Sequence, residues 1–300
     1  MLISAIERYL ELRRALGHKL RETESMLHSF GQHAQLRGET HVTHASGLAW
    51  AAQATTVRQR VRRLAALIDL AKFLYAEDSR HEIPARPLVC PNPPRPLPHI
   101  LSTEQIRQLT QAASQLGPPG SLRPLTFHTL LGLLAVTGLR ISEALELRID
   151  DFTRDGLIVR ETKFRKSRLV PLHESAATAL TRYVARRQCF ATRCDHIFIS
   201  LKRTPLGYGA AYRTFRMLCS GIGLTPSPRV RLHDLRHTMA SRALEACAQS
   251  RDQVTPHILG MSTYLGHASL RSTYWYLQST PQMLQDIACA GEGWMNGDPR

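Results

Sequence analysis

The sequence predicts a mainly α-helical protein of two domains. An all-helical N-terminal domain is followed by an α+β domain of helices carrying a small antiparallel β-sheet. Three observations lead there. Apolar residues recur at helical spacing up to about residue 83. A proline-rich break then interrupts the chain. Beyond it, one turn-and-strand signal sits inside an otherwise helical pattern. The 300 residues suit two domains better than one.

The first domain, residues 1–83, opens with Leu2, Ile6 and Leu10 on one helical face. Met26, Leu27 and Phe30 begin another. The strongest helix is expected near Thr56 to Tyr75. There Val57, Val61, Leu64, Ile68, Ala71 and Tyr75 step by four and three. Arg58, Arg60, Arg62 and Arg63 fall off that stripe and are expected to face outward, as a solvated basic face or as a phosphate-contacting one.

Residues 84–100 read as a linker. Seven prolines lie between Pro84 and Pro98. Proline fixes φ and removes a donor, so neither a helix nor a central strand fits. A new helix is expected from Ser102, whose spacing to Gln105 is that of a capping box. The second domain, 101–300, continues with an apolar helical region from Leu122 to Leu147, broken at Thr137-Gly138. Asp155-Gly156 is a turn into a strand over 157–162, and Arg168-Leu169-Val170-Pro171 is the returning strand. Lys163-Phe164-Arg165-Lys166-Ser167 forms a basic hairpin tip between them. Helical patterns resume from Ser175.

Composition narrows the function. Lys and Arg number 39 against 24 Asp and Glu, a net charge of +15 that suits a polyanionic partner, most commonly nucleic acid. No run of eighteen apolar residues predicts a membrane span. The start turns to charge too early for a secretory signal, and the expectation is a cytoplasmic protein. Six scattered cysteines without a C-x-x-C pair argue for reduced thiols and against a zinc site. Cys189, Cys194 and His196 lie close in sequence, but their spacing is poor for zinc, and no metal is expected.

Four islands carry side chains capable of chemistry. In Thr137 to Glu143, Arg140 stands between Leu139 and Ile141. A partly buried guanidinium needs an anionic partner, either Glu143 or a phosphate. The hairpin tip offers a lysine able to reach a bound ligand and donate a proton. In Arg231 to His237, His233 and Arg236 share one helical face, an arrangement suited to phosphoryl transfer. The fourth island, Leu265 to Tyr276, places His267 after a glycine and then Tyr274 and Tyr276.

Taken in order, these islands resemble the tyrosine recombinase (phage integrase, Xer-like) family over nearly the whole chain. The family signature of Arg, Lys, His-x-x-Arg, His or Trp, then Tyr is matched by Arg140, Lys163, His233 with Arg236, His267 and Tyr276. Counting back from the strand before Pro171 selects Lys163, with Lys166 as the alternative. The family places its tyrosine nine residues after the Leu-Gly-His histidine, which selects Tyr276 over Tyr274. The 34 positions from His233 to His267 exceed the family's simplest spacing, and extra length is expected near Ala248 to Met261, with a break at Pro256 and Gly260.

The resemblance implies the tyrosine recombinase fold, with residues 1–83 as a core-binding DNA clamp and 101–300 as the catalytic domain with its C-terminal tail. It implies a double-stranded DNA recombination site as partner, bound by a monomer or dimer per site and a homotetramer across two duplexes. An accessory protein is possible, and no membrane and no cofactor are implied. The implied activity is site-specific cleavage and rejoining through a 3′-phosphotyrosine, for integration, excision or resolution of a mobile element or replicon. Arg58, Arg60, Arg62, Arg63, Arg165 and Lys166 are the candidate DNA contacts. No arm-site domain is expected ahead of the clamp, and Pro281 to Ala290 is a candidate for exchange between protomers. The alternatives are DNA relaxation in the manner of a type IB topoisomerase, and a DNA-binding protein that does not cleave.

Overall fold

The computed structural model describes residues 2–18, 20–85, 98–160, 167–190, 193–224, 230–247 and 251–266. The chain forms two compact units, Met1–Arg95 and Pro96–Arg300. Most of the proline-rich stretch, the hairpin tip at 161–166 and everything after Gly266 lie outside the described residues. Among the described residues, no helix is long and apolar enough to cross a membrane.

The described residues of the first unit hold four helices: α1 (Leu2–Ala15), α2 (Arg21–Leu36), α3 (His44–Ala52) and α4 (Val57–Glu77). Threonine hydroxyls start two of them. Thr43 accepts the Ser46 N–H, and Thr56 accepts the Gln59 N–H. Ile6, Leu10, Leu27, Phe30, Trp50, Leu67 and Leu70 form the core, with Phe30 edge-on to Trp50 at 5.3 Å. A Cβ at Gly47 would stand 2.8 Å from Leu67, so the glycine sets how closely α3 approaches α4. The buried stripe of α4 differs from the predicted one. Leu64, Ile68 and Ala71 are buried as expected, but Val57 and Tyr75 are exposed, and Leu67, Leu70 and Leu74 fill the core instead. The ends of a 21-residue helix overhang a core built by three shorter partners.

The second unit begins with α5 (Thr103–Ser114). Its capping box is formed by Ser102 and Gln105 in both directions. The apolar α6 (Arg123–Thr137) is buried on several faces, because α5 packs on it together with α8 (Glu174–Gln188) and α10 (Leu232–Cys247). Gly138, at φ 61°, ends α6 in the left-handed region, and its N–H returns to the Leu134 carbonyl. The short α7 (Ile141–Glu146) follows, and a single turn at Ile149–Asp151 leads into the sheet.

The sheet has three antiparallel strands in chain order, β1 (Phe152–Thr153), β2 (Gly156–Val159) and β3 (Arg168–Val170). β1 was not foreseen, since two residues leave no alternation to read. Leu157 pairs with Val170 and Val159 with Arg168. Tyr183 of α8 lies in the core, donates to the Ile197 carbonyl at 3.1 Å and lies 3.2 Å from the Thr126 hydroxyl. Burial pushes its phenol up to about 12. α9 (Tyr208–Gly221), α10 and α11 (Arg251–Leu265) follow. The expected break at Pro256 and Gly260 is absent: both lie inside α11. An interior proline removes one donor and crowds the carbonyl four residues back, at about 3 kcal/mol, and a glycine costs about 1 kcal/mol, so the packing of α11 has to outweigh both.

Gly156 is the tightest point of the sheet. Its φ is 131°, and a Cβ there would lie 2.3 Å from the Val170 carbonyl oxygen. Gly156→Ala is expected to lower unfolding free energy by roughly 2 kcal/mol or more, because the clash is with backbone. Urea denaturation checks this, and wild-type stability would contradict the geometry.

Candidate active site

The site is built at the end of α11, where Gly266 turns the chain out of the helix at φ 65°. The last carbonyls of any helix lack intrahelical partners and carry the negative end of its dipole. Here three consecutive carbonyls each receive an arginine. Arg168 Nε donates to Tyr264 O at 2.8 Å, Arg236 Nη2 to Leu265 O at 2.8 Å, and Arg140 Nη2 to Gly266 O at 3.3 Å.

Each arginine arrives from a different element. Arg140 stands at the N-cap of α7, and its backbone N–H donates to Glu143 Oε2 at 3.0 Å. Its Nη1 reaches Glu143 Oε1 at 2.7 Å, so the Glu143 pairing foreseen from sequence is present. The Arg140 side chain nonetheless keeps 33% exposure, enough to meet a ligand. Arg236 lies on α10 and is 1% exposed. Its Nη1 donates to the Gly138 carbonyl at 2.8 Å, so one guanidinium joins the ends of α6 and α11. Arg168 opens β3 and grips both oxygens of Glu143, at 3.2 and 2.8 Å. Burial opposes ionisation of Glu143, but the arginine hydrogen bonds outweigh it and hold the carboxyl below its usual range.

His233 belongs to the first turn of α10. Asp234, buried at 1% exposure, fixes that turn: it accepts the Arg231 N–H at 2.7 Å and pairs with the Arg231 side chain at 2.7 Å. The His233 ring keeps an exposed face and meets the His237 ring edge-on at 4.4 Å. Desolvation by the surrounding protein, and then the charges of Arg236, Arg231 and Arg140, push its pKa down to about 4, with Asp234 opposing. The exposed face admits water that screens part of this effect, yet the shift is downward, so the ring is neutral at pH 7 and able to accept a proton.

The structure thus brings Arg140, His233 and Arg236 together. Lys163, Arg165, Lys166, His267, Tyr274, Tyr276 and the segment Pro281 to Ala290 lie outside the described residues. In the first unit, Arg58, Arg60 and Arg62 are exposed as expected. Arg60 donates to the Ala54 carbonyl and Arg62 pairs with Glu22. Arg63 does not face fully outward: it is half-buried, bonded to the Trp50 carbonyl at 2.9 Å and stacked over the Trp50 ring at 5.1 Å.

Two side-chain groups have the composition of metal sites. His41, Asp78 and His81 converge in the first unit, and Cys194, Asp195 and His196 in the second, without Cys189. His81 Nδ1 accepts the Val42 N–H at 3.0 Å, which puts the ring proton on Nε2 and leaves no lone pair there for a metal. His196 Nδ1 faces Asp195 at 3.0 Å, and its Nε2 faces Glu146. Among the described residues, Cys189 and Cys219 are free thiols.

A family model described as the phage integrase family matches residues 99–283, more than half of the chain. The integrase/recombinase y4rB of Sinorhizobium fredii is 36% identical over 295 residues, covering 94% of both chains. The chain belongs to the phage integrase family. It is a tyrosine recombinase, an enzyme of DNA recombination. The tyrosine recombinase XerD of Brucella melitensis is 31% identical over 247 residues, covering 79% of this chain and 77% of its own. A crystal structure of the XerH site-specific recombinase bound to its palindromic difH substrate shares the fold, at TM-score 0.64 and 19% identity over 89% of this chain and 78% of that one. These relatives are integrases and recombinases, which gives no support to relaxation alone or to binding without cleavage.

Sequence reasoning missed Arg168 and Asp234 of this recombinase. Alternation in the returning strand held a signal for Arg168. It shares a face with Val170, which is fully buried, so it turns inward despite its charge. Arg231 and Asp234, three apart at a helix start, held a similar one.

A histidine whose folded pKa is depressed is protonated first in the unfolded chain. Its contribution to stability is therefore intact above 6.5 and is lost as pH falls from 6.5 toward 4. An NMR titration of the DNA-free protein is expected to find the His233 ring titrating well below 6.5, with folding stability declining over the same window. A ring titrating at or above 6.5 would contradict the cationic surroundings.

Proposed function

We propose that this recombinase cleaves and rejoins DNA at a specific site by transesterification, with Tyr276 as nucleophile and without metal or ATP. The observation that carries the reading is the meeting of Arg140 and Arg236 at one helix end beside a neutral His233. The sequence spacing supplies the rest.

The Tyr276 phenol is a weak nucleophile, because its ordinary pKa is near 10. His233 takes the phenolic proton as the oxygen attacks the scissile phosphorus. The new bond is a 3′-phosphotyrosine, and the bond broken is that to the 5′-oxygen. Lys163 protonates this leaving oxygen, which departs as a 5′-hydroxyl. Arg140 and Arg236 neutralise the charge that gathers on the non-bridging oxygens, with His267 adding a hydrogen bond. Two arginines thus perform the charge stabilisation that metals perform elsewhere. The phosphodiester energy is kept in the protein link, so a 5′-hydroxyl from the partner strand reverses the reaction with no external energy source. Two duplexes have four strands to exchange and each protomer supplies one tyrosine, so the working assembly is a homotetramer on two sites. The basic face of α4, with Arg58 foremost, contributes phosphate contacts, and Arg165 and Lys166 add others from the hairpin tip. Acting on DNA, the enzyme works in the cytoplasm with the nucleoid.

Covalent capture tests this directly. The wild type, Tyr276→Phe and Tyr274→Phe are expressed with the source DNA, denatured, and the attached DNA is sequenced. Adducts are expected in the wild type and Tyr274→Phe and none in Tyr276→Phe. Adducts persisting in Tyr276→Phe would move the nucleophile elsewhere. Once the site is known, cleavage is expected to continue in EDTA with no nucleotide present, and loss on chelation would overturn metal independence.

A further inference from the structure

We propose that Arg168 is a positioning residue of the strand-cleavage site, holding Arg140 and the end of α11 in place while keeping Arg140 available as a cation. This rests on the cleavage reading above and adds a residue to it.

The Glu143 carboxylate receives four donors, two from each arginine. Arg140 supplies its backbone N–H and Nη1, and Arg168 supplies Nη1 and Nη2. Arg168 and Glu143 side chains are 10% and 8% exposed, so water screens this group little. With Arg140 alone, the carboxylate would cancel the charge that a phosphate needs to feel. With Arg168 present, two cations share one anion and the trio stays at net +1. Arg140 is then oriented by Glu143 without being neutralised by it.

The second half of the role is geometric. Arg168 Nε holds the Tyr264 carbonyl at 2.8 Å, and its guanidinium lies close against Gly266. A Cβ at Gly266 would come within 2.7 Å of Nη1. The glycine therefore serves both its positive φ and the close approach of Arg168. In sequence the proposed catalytic His267 follows at once. Arg168 is also the first residue of β3, paired with Val159 at the base of the hairpin that carries Lys163 in sequence. One side chain thus ties together the segments leading to three proposed catalytic groups, and it has no phosphate contact of its own in this role.

The test is single-turnover cleavage of a nicked site at saturating DNA, with DNA affinity measured across salt. Arg168→Met is expected to cleave about a hundredfold more slowly, the cost of a small misplacement of reacting groups. Arg168→Met leaves Arg140 neutralised by Glu143, so its affinity and the slope of affinity against salt are expected to fall along with the rate. Arg168→Lys is expected to recover part of the rate, because an ammonium can serve one Glu143 oxygen but not the Tyr264 carbonyl as well. Glu143→Gln combined with Arg168→Met restores the charge balance and decides the matter if Arg168→Met does not fold. That double variant is expected to remain slow, and no slower than Arg168→Met alone. Wild-type rates in Arg168→Met, Arg168→Lys or the double variant would overturn the proposal, as would a salt slope reduced by about one in the double variant, whose net charge is that of the wild type, the mark of a direct phosphate contact. A wild type that cleaves while Arg168→Met keeps its rate sinks this inference alone. A wild type that forms no adduct sinks the cleavage reading and this inference with it.

Discussion

Three guanidinium groups on three consecutive carbonyls hold this candidate site together. A helix end is a place where polar groups lack partners and where negative potential collects. At the end of α11 that deficit is met by cations from α7, β3 and α10. Elements distant in sequence are thereby brought to one point. Arg236 does this twice over, because its other nitrogen closes the end of α6 at Gly138. The ends of the helices at Gly138 and Gly266 are thus the places where the proposed catalytic arginines find their acceptors.

The same arrangement sets the electrostatics. Arg140, Arg168, Arg231 and Arg236 crowd a region whose buried acids are Glu143 and Asp234. Both acids are engaged by arginines, and each also caps a helix start. The surplus is positive, which suits a phosphate and disfavours a second proton on His233. A cationic pocket that keeps its histidine neutral reconciles two needs of strand cleavage: charge for the transition state, and a base for the phenol. The buried aromatic and aliphatic framework around α6 supplies the rigidity those distances require.

Much of this was legible in the sequence. The motif order named Arg140, His233 and Arg236, and the structure brings them together. Gly138 ended α6 where the Thr137-Gly138 pair predicted, and Ser102 built its capping box. What the sequence hid was of two kinds. Local pattern overstated Val57 and Tyr75, because periodicity marks a helix face but not how far its partners extend along it. It also placed a break at Pro256 and Gly260, where the packing of α11 on α10 and β3 keeps the helix whole. Long-range partners were hidden in principle. Arg168 and Glu143 are 25 positions apart, and Arg140 and Gly266 are 126 apart. No spacing rule reaches that far, and the carbonyls they meet carry no sequence signal of their own.

In the proposed mechanism one set of arginines both builds the end of α11 and grips the scissile phosphate. A crystal structure of the chain trapped as its covalent DNA adduct measures this most directly. The account predicts Arg140 and Arg236 each within hydrogen-bond distance of the phosphotyrosine's non-bridging oxygens, with the Tyr264, Leu265 and Gly266 carbonyls still held by Arg168, Arg236 and Arg140. A phosphate bound by other residues, or one reached only after those carbonyl bonds are broken, would contradict it.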